Sequence, residues 1–354
     1  MSVVKRLAVA AGALAAVAGA VAVVLRATPW PSVLVIRKAF ERGAVSNTAQ
    51  LRRHPPARAV EVTTGIPYTH AGAPTFDLVL PAGHPRDEAL PVVVWVHGGA
   101  WISGFAADNV PYLEHLAAAG YAAVALDYTV APEARYPTAV RQLDEALGHL
   151  TEHAAELGID PERIVLAGDS AGAQLASQLA ALTVDPEYAR ALGLRASLRP
   201  EQLRGVVLQC GVYDIAAMAD VHGIAGWGFK AALWALTGEK DWSHSGAAST
   251  MSTIDVIGRT PESTDGDDSE HPIAPFPPVF ISGGNGDALT SIQSLPMSER
   301  MRAVGIDVTT LFWPADHEPP LPHEYHLHLD RPEAHDALRQ TLDFVRRVTR
   351  RTTE

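Results

Sequence analysis

The segment that decides the fold is Ile164–Ala180, which reads IVLAGDSAGAQLASQLA. Its first part is an apolar run typical of a buried strand, and its last part carries apolar residues at helical spacing. Small residues on both sides of Ser170 allow a sharp turn, so that the hydroxyl projects outward at the helix N-terminus. The segment therefore predicts a strand, a tight turn with an exposed serine, and a helix with Leu175, Leu179 and Leu182 on one face.

Outward from this unit, short β-rich runs alternate with longer helical runs, which is typical of a mainly parallel sheet covered by helices. The alternation lapses between Tyr213 and Pro278, where four bulky aromatic residues gather, and this predicts an insertion that covers a site. The predicted strands are FDLVL, PVVVWVHGG, YAAVALDY, RIVLAG, GVVLQC, PVFISGG and VTTLFWP, and the predicted helices are YLEHLAAAG, AVRQLDEALGHLTEHAAELG, AGAQLASQLAAL and EAHDALRQTLDFVRRV.

Composition narrows the class of protein. The chain has 354 residues, 47% of them hydrophobic, which is enough for one large α/β domain or two ordinary ones. Its net charge of -12 has the wrong sign for binding nucleic-acid phosphates, so we expect no nucleic-acid partner. The single cysteine, Cys210, excludes an internal disulfide framework and is interpreted as a small buried residue.

The N-terminal segment Leu7–Leu25 reads LAVAAGALAAVAGAVAVVL and contains no polar side chain, so it nearly spans a bilayer core. Signal-peptide apolar regions are usually shorter, about 7 to 15 residues, and no clear cleavage site follows. We therefore expect a retained single-pass anchor, with a cleaved signal peptide and a secreted protein as the alternative. Basic residues on both sides leave the orientation open.

The next stretch, Ser32–Gly43, mixes apolar and basic residues at near-helical spacing. It predicts an amphipathic helix that packs through its apolar residues Val33, Leu34, Ile36 and Phe40. Association with a membrane surface, or coverage of a substrate pocket, remains the alternative.

A serine hydroxyl is a weak nucleophile unless a general base accepts its proton and an acid fixes the tautomer of that base. Asp287 follows the predicted strand PVFISGG, and His323 lies in PHEYHLH, before the last predicted helix. The chain order Ser170, Asp287, His323 suits a nucleophile on this kind of turn. Asp287 could instead cap a helix, and four further histidines are alternative bases: His317, His326, His328 and His335.

The turn HGGAW, His97–Trp101, follows another predicted strand. Paired glycines there would let backbone N–H groups face a developing negative charge, so we predict Gly98, Gly99 and the N–H of Ala171 as oxyanion donors. No metal is predicted, because the histidine-rich tract lacks a helical His-x-x-x-His pair or partner cysteines. The acidic run Asp265–Glu270 lacks the spacing of an EF-hand calcium loop.

Four motifs in this order resemble the hormone-sensitive-lipase family of α/β-hydrolase esterases: HGGAW, DYTVAPEARYPTA, GDSAGAQLA and GGNGDALT. The resemblance covers the chain from about Ala59 to its end. It implies a carboxylester hydrolase without a cofactor, with an N-terminal and an inserted cap over the acyl pocket. The family's motif positions fall on Gly98, Gly99, Ser170, Ala171, Asp287 and His323.

Three positions depart from the family's usual pattern. Ala100 stands where a third glycine is common, Ala288 where proline often follows the acid, and Glu324 where glycine often follows the histidine. A backbone N–H survives replacement of glycine by alanine only where the backbone needs no positive φ.

Together these observations predict a membrane-anchored α/β-hydrolase, with a mostly parallel sheet covered by helices and a helical cap. The expected organisation is an anchor or signal segment in residues 1–30, a linker and N-terminal cap segment in 31–60, and a catalytic domain in 61–350 with a cap insertion near 213–277. The expected substrate is a small-molecule ester or a lipid. The alternatives are an amidase or peptidase with the same triad, and a non-catalytic membrane-tethered binding protein.

Overall fold

The computed structural model describes residues 19, 23–69, 71–257 and 274–351. Most of the predicted membrane segment Leu7–Leu25 lies outside these residues, as does the acidic run Asp265–Glu270. Within the described ranges, no helix combines the length and the apolar character that crossing a bilayer requires.

One sheet of eight strands forms the centre of the described part of the chain. The strands are β1 (Val60–Pro67), β2 (Thr75–Pro81), β3 (Leu90–Val96), β4 (Ala122–Leu126), β5 (Ile159–Asp169), β6 (Leu203–Gln209), β7 (Val279–Gly283) and β8 (Val308–Phe312). Their order is β1-β2-β4-β3-β5-β6-β7-β8. β2 pairs antiparallel with β1 and β4, and all the other neighbours are parallel. The predicted mostly parallel sheet is confirmed.

Helices cover both faces of this sheet, and they differ from the predicted ones mainly at their ends. The long predicted helix before β5 is broken at His153, and the helix before β4 begins earlier than predicted. The described α-helices include α1 (Trp30–Leu51), α2 (Ala106–Ala118), α3 (Thr138–Glu152), α4 (Ala154–Leu157), α5 (Ala171–Val184), α6 (Pro186–Ala191), α7 (Gly223–Thr237), α8 (Gly246–Met251), α9 (Thr253–Val256), α10 (Leu295–Ala303) and α11 (Pro332–Val348).

The central strands are buried on both faces because helices pack on each side. In β3, Val92, Val94 and Val96 belong to one hydrophobic cluster, whereas Val93 and Trp95 belong to the cluster on the opposite face. Such strands read as continuous apolar runs, which is why they were predictable from the sequence.

The helix α5 is buried along its whole length, so its polar residues are buried as well as its leucines. Leu175, Leu179 and Leu182 lie in the hydrophobic core. Gln174 and Gln178 are both fully buried, and each is hydrogen-bonded to other parts of the chain. The sequence predicts the apolar face of this helix but gives no sign that the opposite face is also covered.

The covering elements on that opposite face are α8 and α9, which lie in the predicted insertion. Gln174 Nε2 donates to the carbonyl oxygen of Met251 at 3.0 Å. The hydroxyls of Ser177 and Thr253 are 2.9 Å apart. α8 and α9 are therefore fixed to the helix that follows Ser170 by buried polar contacts.

The N-terminal helix α1 packs against α2 and α7. Val33 and Ile36 are buried in this contact, whereas Leu34 and Phe40 are exposed. The prediction that this helix packs through apolar residues is confirmed for Val33 and Ile36. It is wrong for Leu34 and Phe40, which are exposed.

Arg37 attaches α1 to the loops beyond β3 and β4. Its Nε donates to the carbonyl oxygen of Ile102 at 2.7 Å, and one terminal nitrogen donates to that of Ala131 at 2.9 Å. The guanidinium also forms a two-point ion pair with Glu133, with both distances 2.7 Å. The fork of an arginine side chain suits such a set of acceptors better than a lysine would.

We expect Arg37→Ala to lower the free energy of unfolding by about 1–3 kcal/mol, because it leaves two carbonyl oxygens and one carboxylate without their donor. Urea denaturation of the purified protein measures the change. The control is Lys38→Ala on the exposed side of the same helix, expected to stay within about 0.5 kcal/mol of the parent. Equal stability of the two variants would show that the Arg37 contacts contribute nothing.

Candidate active site

Ser170 occupies the turn between β5 and α5, as the sequence predicts, but the prediction of an exposed serine is wrong, because Ser170 is buried. Its backbone has φ 52° and ψ -120°, a sparsely populated positive-φ conformation that costs a residue with a side chain about 1–3 kcal/mol. The N–H of Ser170 donates to the carbonyl oxygen of Gln209 at 2.9 Å, and its own carbonyl accepts from Gln174. These bonds to β6 and α5 hold the strained residue in place.

Gly168 and Gly172 make the turn possible because neither has a Cβ atom. A Cβ on Gly168 would collide with the backbone of Gly172, and a Cβ on Gly172 would overlap the carbonyl oxygens of Val96 and His97. The start of α5 therefore lies directly against the backbone at the end of β3, which any larger residue would prevent.

The three predicted triad side chains lie in a hydrogen-bonded chain. His323 Nε2 is 2.9 Å from Ser170 Oγ, and His323 Nδ1 is 2.7 Å from Asp287 Oδ2. The other oxygen of Asp287 accepts the N–H of Leu289 at 3.0 Å, which fixes the carboxylate. The residues follow β5, β7 and β8, so the carboxyl ends of three parallel strands bring them together. This arrangement can withdraw a proton from the serine hydroxyl.

The alternative histidines are directed elsewhere. His317 Nε2 is paired with Glu333 at 3.0 Å. His326 is buried, and burial lowers its pKa to about 3, so this imidazole is neutral. Burial also lowers the pKa of His328, and His335 lies on α11. The geometry therefore favours His323 as the partner of Ser170.

Burial opposes protonation of His323, but the side chains of Cys210 and Asp287 outweigh it and raise the pKa of the imidazole well above 6.5. Burial in turn raises the pKa of the Cys210 thiol, which is therefore uncharged at neutral pH. With the thiol uncharged, the contribution of a Cys210 charge is absent, and the hydrogen bond and charge of Asp287 are what favour the imidazolium.

Cys210 is a neighbour of the triad that sequence reasoning missed. It is buried, as predicted, but it directly follows β6, between the strands that carry Ser170 and Asp287. Its sulfur and one ligand atom each of His323 and Asp287 all lie within 4.8 Å of one another. Nitrogen, oxygen and sulfur ligands suit zinc, but both imidazole nitrogens are already hydrogen-bonded within the triad. Only the order of strands across the sheet reveals this position.

The predicted oxyanion donors differ in their availability. The N–H of Gly98 donates to Asp169 Oδ2 at 3.0 Å, so it is engaged and does not fit the predicted role. Ala171 is the first residue of α5, where an N–H has no acceptor within its own helix. Gly99 has φ 104°, and its N–H has no backbone or side-chain acceptor in the described part of the chain. Ala100, in place of the family's third glycine, has a left-handed φ of 51°.

Asp169 and Glu324 form a second carboxyl pair beside the triad. Asp169 Oδ1 accepts from Trp95 Nε1 at 2.7 Å and from Asn109 Nδ2 at 3.1 Å. Burial, and then the charge of Glu324, raise the pKa of Asp169 to about 7. Asp169 Oδ2 and Glu324 Oε1 both lie against the position of a Cβ on Gly98, so the two carboxyl groups are neighbours.

The family model named BD-FAE matches residues 76–263, which is more than half of the chain. The chain belongs to the BD-FAE family. Among curated proteins, it is 43% identical over 97 residues to carboxylesterase NlhH of Mycobacterium tuberculosis, an alignment that covers 27% of this chain and 30% of that protein. It is 41% identical over 96 residues to bovine (Bos taurus) hormone-sensitive lipase, covering 27% of this chain and 12% of the lipase. The resemblance found in the sequence is confirmed, although the alignments span less than a third of these relatives.

Solved structures confirm the fold of this BD-FAE chain. Esterase B of Lactobacillus rhamnosis superposes with a TM-score of 0.75 at 22% identity, over 90% of this chain and 96% of the other. An esterase of Pyrobaculum calidifontis superposes with a TM-score of 0.66 at 19% identity, over 89% and 93% of the two chains. The chain therefore has the predicted α/β-hydrolase fold.

We expect kcat/KM for ester hydrolysis to fall as the pH is lowered through the raised pKa of His323, because the imidazolium cannot accept a proton from Ser170. A pH–rate profile should place this acid limb above pH 6.5, the ordinary histidine value. Asp287→Asn removes the carboxylate charge and should move the limb of the residual activity to lower pH. An acid limb at or below pH 6.5 in the parent would contradict the assignment.

Proposed function

We propose that the protein is a serine carboxylester hydrolase that forms an acyl-enzyme on Ser170. The observation that carries the proposal is the hydrogen-bonded chain from Ser170 through His323 to Asp287, on a strained strand-to-helix turn. The esterases and lipase among its relatives support the same class of reaction.

In the first step, Ser170 Oγ attacks the acyl carbonyl carbon while His323 Nε2 takes the hydroxyl proton. Asp287 holds the Nδ1 side of the imidazole and stabilises the imidazolium by its charge. The N–H groups of Gly99 and Ala171 hold the oxyanion. The N–H of Gly98 does not take part, because it is bonded to Asp169. The carbonyl re-forms, the bond to the leaving alcohol breaks, and His323 returns the proton to that alcohol.

We also propose that α1 and the insertion at 213–277 together form the cap over the acyl pocket. The contact between α1 and α7 joins the two parts, and α8 and α9 are bonded to α5. A cap of this kind bounds the space for the acyl chain. If Arg37→Ala loosens α1, this variant should therefore show a changed preference for acyl-chain length.

The test of the proposed function is a set of variants assayed with p-nitrophenyl esters. Ser170→Ala should lower kcat by a factor on the order of 10⁶, and His323→Ala by a similar factor, because the two act as a unit. His317→Ala is the matched control in the same loop and should retain most activity, since its partner is Glu333.

A fluorophosphonate should label Ser170, as identified by peptide mass spectrometry. Comparison of an ester with the amide of the same acyl group separates the esterase from an amidase or peptidase. A fluorophosphonate adduct on another residue would refute the nucleophile, and a labelled protein that does not turn over any ester would favour the binding-protein alternative.

We propose that the apolar segment Leu7–Leu25 is a retained membrane anchor. Its length supports this, and so does the position of Val23, Val24 and Leu25, which are helical and exposed just before α1. Full-length protein should pellet with membranes after carbonate extraction at its unprocessed mass. Deletion of residues 1–29, which precede α1, should release an active soluble enzyme. A soluble product that begins near Ala27 would instead identify a cleaved signal peptide.

A further inference from the structure

Glu324 is unusual in both its position and its backbone. It directly follows His323 and has a left-handed φ of 58°, which disfavours a residue with a side chain by about 1–2 kcal/mol. Glycine would remove this cost. An acidic side chain retained in such a conformation beside the triad points to a role in the site itself.

The carboxyl group of Glu324 lies next to the reacting atoms. Its Oε1 is 3.9 Å from His323 Nε2, the nitrogen that is bonded to Ser170 Oγ. The same oxygen would be 3.0 Å from a Cβ placed on Gly98, so it lies over the start of the oxyanion loop. The side chain of Glu324 is 23% exposed and is therefore open to molecules that enter the site.

Asp169 lies beside this carboxyl group. It is buried and hydrogen-bonded to Trp95, Asn109 and Gly98. Oδ2 of Asp169 and Oε1 of Glu324 both lie against the position of a Cβ on Gly98. The oxygens of Glu324 can accept a hydrogen bond from a water molecule in the site.

The distance of 3.9 Å is too long for a direct hydrogen bond between Glu324 and His323, but one water molecule can bridge it. A water bonded at about 2.8 Å to both Glu324 Oε1 and His323 Nε2 would lie beside Ser170 Oγ. The acyl carbonyl carbon of the acyl-enzyme is attached to that oxygen, so the water would be adjacent to the carbon it must attack.

We propose that Glu324 is a catalytic residue of deacylation, which accepts a hydrogen bond from the attacking water and orients it. This inference rests on the proposed acyl-enzyme function. His323 Nε2 takes one proton of the water as its oxygen bonds to the acyl carbon, while the second hydrogen stays bonded to Glu324. The bond from the acyl carbon to Ser170 Oγ then breaks, and His323 returns its proton to Oγ. The products are a carboxylic acid and free enzyme.

Acylation does not require an oriented water molecule, because the leaving alcohol takes the place of the water near His323. Loss of Glu324 should therefore slow deacylation selectively. This selectivity distinguishes orientation of the water from a general effect on the loop, which would slow both half-reactions.

The experiment is stopped-flow hydrolysis of p-nitrophenyl acetate by the full-length protein and three variants. Glu324→Gln keeps the shape but removes the charge, and Glu324→Gly suits the left-handed backbone, so at least one should fold. Glu333→Gln is the matched control, since its carboxylate is bonded to His317 on the far side of the loop.

For both Glu324 variants we expect the rate constant of the p-nitrophenol burst to stay within about threefold of the parent. The steady-state rate should fall by about 10²-fold for Glu324→Gly, which leaves the water without its acceptor, and by less for Glu324→Gln, whose amide oxygen can still accept. The burst amplitude should approach one equivalent of enzyme, and mass spectrometry should detect acetyl-Ser170. The control should match the parent in both phases.

Steady-state rates equal to the parent, or equal losses in both phases, would overturn the role of Glu324 while leaving the acyl-enzyme mechanism intact. If the parent hydrolyses no ester, the proposed function fails and this inference fails with it. The two failures are therefore distinguishable in the same data set.

Discussion

The close approach of α5 to the backbone of β3 is the constraint on which the site depends. Gly172 lies against the carbonyl oxygens of Val96 and His97, and Gly168 lies against Gly172. Only this approach lets the chain reverse direction within the single strained residue Ser170. A side chain at either glycine would displace the helix and carry the serine hydroxyl away from its histidine. The angstrom-scale fit of two backbones therefore sets the 2.9 Å distance on which the proposed proton transfer relies.

Burial of α5 on every side extends this constraint to the rest of the molecule. The helix cannot shift, because its leucines lie in the core and its polar residues are bonded to the insertion. A buried polar group that loses its partner costs about 1–3 kcal/mol, so the insertion and the helix stabilise each other. The elements proposed to shape the acyl pocket are thus attached to the helix that positions the nucleophile, and α1 is attached by Arg37 to the loop that begins with the predicted oxyanion turn.

The sequence predicts those features whose signal is local. The central strands are apolar on both faces, and the strand-turn-helix unit around Ser170 carries its own glycines. His323 could be placed beside Ser170 and Asp287 because the ends of parallel strands meet at one sheet edge. By contrast, β1 is an edge strand with mostly exposed residues, so it lacks the apolar run that reveals the others.

Features that depend on contacts between distant segments were not predictable in this way. Nothing near Gly98 shows that its N–H is taken by Asp169, because that bond joins residues 71 positions apart in the sequence. The position of Cys210 beside His323 follows from the order of strands across the sheet, which chain order alone does not give. The sequence shows that Glu324 stands where the family often has glycine. It does not show that Asp169 lies beside Glu324, or that Glu324 Oε1 is 3.9 Å from His323 Nε2.

The two carboxyl groups nearest His323 place different demands on the site. Asp287 bonds to Nδ1 and favours the imidazolium, which forms as the serine or the water gives up its proton. Glu324 lies near Nε2, where a second full charge would also repel the oxyanion that develops close by. Burial and the charge of Glu324 raise the pKa of Asp169, so its neutral form is favoured relative to an isolated carboxyl group. A neutral Asp169 places less negative charge beside Gly98, at the start of the predicted oxyanion loop. Burial of Asp169 therefore limits the repulsion of the proposed oxyanion, while Asp287 acts on the Nδ1 side of the imidazole.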